Sequence, residues 1–221
     1  IYGGLRRIVD KYSLSGLAIP SGYFLEPFGD MGCLAASLLN SEDIICSYHG
    51  NVPSLISMAV GNALTGQPTF LANTSVIDVA ANETIFSYCT IPLSMVKDYK
   101  YEKMCRDKPG IGIRGVVPRG EATVFKISGD MEEYAVSDTE IIGNISRTNL
   151  CCTQINTKTQ KDVRYFLKGT IGNHHVIMNG YHAARVDEFF ATLNHNMGVR
   201  NMSHDASVAR SYIDGLVVKE A

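Results

Sequence analysis

Apolar positions in the first third of the chain switch between two periods. Leu5, Ile8 and Val9 fall at helical spacing within residues 2–11. Gly16-Leu17-Ala18-Ile19 is an unbroken short run ended by Pro20, the mark of a buried strand. Residues 20–29, rich in Gly, Pro and aromatics, read as a loop, and Asp30 as the N-cap of a helix through Cys33, Leu34, Ala35, Leu38 and Leu39. Ile44-Ile45-Cys46-Ser47-Tyr48 reads as a second strand running into His49. Asn51 or Val52 opens the next helix, with Pro53 tolerated in its first turn. Leu55, Ile56, Val60 and Leu64 supply its apolar stripe, and Gly66 and Pro68 end it. Residues 68–72 then form a third strand candidate running into Asn73.

The order α-β-α-β-α-β predicts a parallel sheet with crossover helices. A unit of roughly 80 residues is small for a complete doubly wound domain. Residues 1–82 are therefore expected to be a partial Rossmann-like α/β segment. The texture changes from residue 83. Residues 84–90 have strand character, and residues 93–106 suggest a short helix. Strand candidates follow at 111–117, 122–127, 131–136, 140–145, 150–155, 163–167 and 174–178. Short strands at near-regular spacing predict an antiparallel, barrel-like domain over residues 83–221. A helix over 183–194 and a helical turn over 206–212 close the chain. The expected fold class is α/β plus β.

Composition narrows the function. Hydrophobic residues make up 45% of the 221, enough for a real core, and the formal charge of −2 offers no pull toward nucleic acid or an anionic membrane. No apolar run approaches the ~20 residues of a membrane span, and the first residues lack the pattern of a signal peptide. The chain is expected to be cytoplasmic, and to be processed, truncated or part of something longer. None of the six cysteines forms a C-x-x-C pair, so they read as buried reduced thiols. The N-x-S/T triplets at Asn73, Asn82, Asn144 and Asn201 read as chance. No P-loop, G-x-G-x-x-G or G-x-S-x-G motif occurs.

Candidate chemistry gathers at strand ends. Ligands bind at the carboxyl edge of an open parallel sheet. Neighbouring strands lie roughly 4.8 Å apart, so His49 and Asn73 are expected to meet one ion or one small polar molecule. Glu26 and Asp78, in loops leaving that edge, are the better acid–base candidates among Glu26, Asp30, Glu42, Asp43, Asp78 and Glu83. The segment from Lys97 to Lys103 reads as a solvated helix face. The richest histidine cluster is Gly172-Asn173-His174-His175, followed by Tyr181-His182. On a strand, His174 and His175 point to opposite faces, so only one serves a given site.

These residues carry a resemblance. Gly32-Cys33-Leu34-Ala35-Ala36-Ser37-Leu38-Leu39-Asn40 with Ile44 to Tyr48, then Pro53-Ser54-Leu55-Ile56-Ser57-Met58 through Leu64 to Ala72, and Gly172-Asn173-His174-His175-Val176 resemble the C-terminal half of L-fucose isomerase-like proteins. The resemblance implies an α/β domain leading into an antiparallel barrel, and metal-dependent aldose–ketose isomerisation in carbohydrate metabolism. It implies a divalent ion, commonly Mn²⁺, held by two carboxylates and a histidine. Those positions fall on His49, Asn73 and His174, which makes them the metal set. His49, Glu26 and Asp78 become the catalytic set, with Asn73 and His175 on the substrate. Two neutral side chains in place of two anionic ones weaken a hard ion's binding. Zn²⁺ suits histidines better. The partners implied are a small sugar or sugar acid and further copies of the chain, or another chain supplying the upstream domains. The rival expectation is a non-catalytic sugar-binding or structural partner without the metal site.

Overall fold

The structure, a computed structural model, describes residues 1–20, 22–104, 109–197, 200–201 and 217–219. The chain opens with α1 (Tyr2–Tyr12), β1 (Gly16–Ile19), α2 (Gly22–Phe28), α3 (Cys33–Ser41), β2 (Ile45–Tyr48) and α4 (Val52–Thr65). Strands β1 and β2 pair in parallel, Gly16 against Ile45 through Ile19 against Tyr48. Helix α4 forms as its local signals dictate. The Asn51 side chain accepts from Ser54 N at 2.9 Å, Pro53 occupies the first turn, and Gly66 at φ 65° ends it.

Residues 20–29 hold a helix where a loop was expected. Its seven residues bury no side chain and include Pro27, so α2 leaves no apolar periodicity to read. Asp30 does not cap α3 either. Gly32 is its N-cap, and Asp30 Oδ1 accepts from Gly32 N at 2.6 Å, just ahead of the helix.

The next strands are β3 (Phe70–Asp78), β4 (Glu83–Tyr88), β5 (Asp98–Lys103), β6 (Ile111–Val116), β7 (Gly120–Ile127), β8 (Glu133–Asn144) and β9 (Thr153–Thr159). Then come α5 (Tyr165–Lys168), β10 (His174–Asn179), α6 (Ala183–Met197), β11 (Arg200–Asn201) and β12 (Val217–Lys219). Six strands close an antiparallel barrel in the order β10-β7-β8-β9-β4-β3, with β3 returning to β10. One face of this sheet carries Phe70, Phe86, Val124, Ile155 and His175, all buried. The other carries the exposed cross-strand pair Glu140 and Lys158.

The parallel sheet thus stops at two strands, and β3 belongs to the barrel, which begins before residue 83. Asn73-Thr74-Ser75 looks like a turn, yet Thr74 and Ser75 are buried. The Thr74 hydroxyl meets His175 Nδ1 at 3.3 Å, and the Ser75 hydroxyl meets that of Ser87 at 2.7 Å. Partners distant in sequence make a polar triplet fit a strand interior. The helix expected over 93–106 is a short 3₁₀ turn, Leu93–Met95, followed by β5. Strand β5 pairs with β6, so the Lys97–Lys103 segment is a solvated hairpin strand rather than a helix face. Residues 163–167 form a turn and α5, not a strand. The helical turn expected over 206–212 lies outside the described residues.

Candidate functional site

His49 follows the last residue of β2 with φ 67°, and Gly50 follows with φ 66°. Two successive left-handed residues turn the chain sharply between β2 and α4. Histidine is among the residue types enriched in that region. The imidazole is exposed and lines an open cleft of about 330 Å³ with Pro20, Gly22 and Tyr23.

Four rings, those of Tyr48, His49, Tyr88 and His174, meet beside the cleft, with Tyr48 4.4 Å from His49 and 6.0 Å from Tyr88. The His49 ring centroid lies 6.3 Å from that of His174 and 6.2 Å from that of Tyr88, and His174 and Tyr88 are 5.4 Å apart, edge to face. His174 opens β10, directly opposite Asn73 on β3. Asn73 Oδ1 accepts from Asn173 Nδ2 at 3.1 Å. The antiparallel register of the barrel, not a parallel sheet edge, sets Asn73 opposite His174, and the turn after β2 brings His49 beside His174.

Two polar atoms in this neighbourhood are buried without a hydrogen-bond partner among the described residues, the Tyr88 hydroxyl and His174 Nε2. Leaving such a group unpaired costs about 1–3 kcal/mol. Burial pushes the Tyr88 hydroxyl well above its ordinary range. Burial, then the charges of Lys126 and His49, pushes His174 down to about 4, so its imidazole is neutral at pH 7. Tyr88 therefore keeps its proton as a donor, and neutral His174 offers one ring nitrogen to donate and one to accept.

Lys126 sits in the buried C-terminal part of β7, between Phe125 and Ile127, with Nζ donating to Ser54 Oγ at 2.8 Å. Burial lowers its ammonium to about 8. Its charge opposes protonation of both His174 and His175. Neither Tyr88 nor Lys126 was among the candidates read from the sequence. Lys126 left a signal, a single cation inside an apolar strand run. Tyr88 left none beyond a place at a strand end.

The other candidates lie elsewhere. His175, expected on the substrate, takes the opposite face of β10 and is fully enclosed. Its Nδ1 meets Thr74 Oγ1, and its Nε2 meets the Tyr165 hydroxyl at 3.1 Å, so both ring nitrogens are engaged within the protein. Burial drives it down to about 3. Asp78 ends β3, five residues from Asn73, or about 17 Å along a strand, and accepts from Ala81 N in the turn to β4. That places it away from His49 and gives it a turn-closing role. Glu26 is exposed on α2, beyond the Gly22 and Tyr23 that line the cleft.

The hard divalent ion that the resemblance implies needs oxygen ligands, anionic ones above all. The donors here are two imidazoles and a carboxamide whose oxygen is already engaged. Among the described residues, no group of three His, Cys, Asp or Glu side chains is placed to hold a metal. Two imidazoles also leave a tetrahedral Zn²⁺ short of ligands. The residues do not fit either ion. Among the described residues, no helix is long and apolar enough to cross a membrane.

No protein-family model matches the chain, and no curated protein matches it.

Proposed function

We propose that this chain binds a small sugar or sugar acid at the His49–Tyr88–His174 site without a metal ion. The reading rests above all on one observation: the Tyr88 hydroxyl and His174 Nε2 are buried, adjacent and unpartnered. Ligand hydroxyls both donate and accept, so a polyol satisfies both atoms. The buried Lys126 charge adds a positive field that favours a carboxylate-bearing sugar over a neutral one.

Calorimetric titration with pentoses, 6-deoxyhexoses and aldonic acids, in the presence of chelator, tests the reading. The expected result is saturable binding to at least one of them, weakened tenfold or more by Tyr88→Phe. Absence of binding across the panel counts against it.

A second reading, aldose–ketose isomerisation, is favoured by one feature. His49 is an exposed imidazole at the mouth of the site, where a general base would stand. With the carboxylate positions of the resemblance held by His49 and Asn73, His49 would have to take the proton and return it. Incubation of bound ligand in D₂O tests this. Deuterium at the carbon beside the carbonyl, lost in His49→Ala, supports isomerisation. No incorporation leaves a binding protein.

A further inference from the structure

Below the ring cluster lies a second concentration of chemistry. Cys89, next after Tyr88, lies among the thiols of Cys151, Cys152 and Cys33. Cys33 Sγ in turn reaches Met104 Sδ at 3.4 Å. All five cysteines among the described residues are free thiols. Tyr88 opposite Thr153 is the last pair of the β4–β9 ladder, so Cys89 and Cys152 are the next residues to face each other. Gly112 makes room for them. A Cβ there would stand 2.7 Å from Cys152 Sγ and 2.9 Å from Cys89 Cβ. Directly opposed residues on antiparallel strands have Cβ atoms about 4.5–5.5 Å apart, and a disulfide needs about 3.5–4.5 Å. A small approach of two strand ends is enough.

We propose that Cys89 and Cys152 are a reversible dithiol–disulfide pair, oxidised by peroxide. The two sulfurs are unequal. Cys89 is pushed well up and holds its proton, while Cys152 beside it is pulled down from an ordinary thiol. The Cys152 thiolate attacks one peroxide oxygen, the O–O bond breaks, and hydroxide leaves a sulfenic acid on Cys152. The Cys89 sulfur then attacks the Cys152 sulfur. The S–O bond breaks, the Cys89 proton leaves with the hydroxyl as water, and the S–S bond forms. Peroxide takes two electrons from the pair. A small-molecule dithiol returns them.

The test is a peptide map of the full chain. Native protein is treated with hydrogen peroxide, alkylated after denaturation, digested and analysed by mass spectrometry. The expected result is a Cys89–Cys152 cross-link, a loss of two alkylatable thiols per chain, and recovery of both with dithiothreitol. Cys151→Ser should keep the link and Cys152→Ser should lose it. An unchanged thiol count overturns the proposal. So does linkage of Cys89 to Cys33 or Cys151, or irreversible sulfinic acid on Cys152 without a link. The wild-type map decides the matter even if a variant fails to fold, and it is independent of sugar binding.

Discussion

Lys126 shows how a single residue can cost stability at a site. Its ammonium is buried, has one hydroxyl partner in Ser54, and is held at about 8 by burial alone. The unfolded chain keeps an ordinary lysine, so it binds more protons than the folded chain between about 8 and the usual lysine range. Folding is penalised most below that window, and the penalty fades as pH rises through it. Lys126→Met keeps the volume and removes the charge. We expect Lys126→Met to be more stable than wild type by about 1–2 kcal/mol at pH 7, with the gain shrinking above pH 8. Urea denaturation at both ends of that range measures it. The same variant should weaken binding of a sugar acid more than binding of a neutral sugar. Neither Lys126 nor Tyr88 could be assigned from the sequence, because their roles depend on what β7 and β4 face. That is fixed by barrel register rather than by neighbours in the chain.

Among the elements, α4 joins the site to the barrel. It begins three residues after His49, and its Ser54 and Ser57 hydroxyls accept from Lys126 Nζ and from Ile127 N at 3.1 Å. Loss of the cap in Asn51→Ala should cost about 1 kcal/mol in urea denaturation and loosen ligand binding through the His49 turn. A cap that proves neutral would show that the barrel contacts hold α4 unaided. This helix was legible from Asn51 to Gly66 because cap, proline and terminating glycine are all local signals. Strand β3 was not. Its Asn73-Thr74-Ser75 core pays for burial with side chains on other strands, and no window of sequence contains them. Helix α2 and strand β5 were misread for the opposite reason, since exposed segments carry little apolar periodicity. The sequence points to His49, Asn73 and His174 through a parallel sheet edge, whereas antiparallel pairing of β3 with β10 sets Asn73 opposite His174 and the β2–α4 turn sets His49 beside His174. Side-chain alternation puts His175 on the far face of β10 from His174, and strand length puts Asp78 at the far end of β3 from Asn73.

For the whole molecule, the two histidines that open β10 set an acid limit. His174 at about 4 and His175 at about 3 both lie below an ordinary imidazole. The unfolded chain takes up these protons first as pH falls below about 6.5. Stability is therefore fully present above that value and declines down to the folded values, where it levels. Thermal melts should fall between pH 7 and pH 5, and His175→Gln should flatten that slope. The barrel built around these neutral histidines, with Tyr88 beside them, is the setting for the central claim that a sugar or sugar acid binds here through uncharged donors and acceptors. The most direct measurement is titration calorimetry of the full chain with the sugar and aldonate panel, run once in chelator and once in Mn²⁺. Equal affinity in both buffers, lost in His174→Ala, is the predicted result. Binding that appears only with Mn²⁺, or is unchanged in His174→Ala, would contradict it.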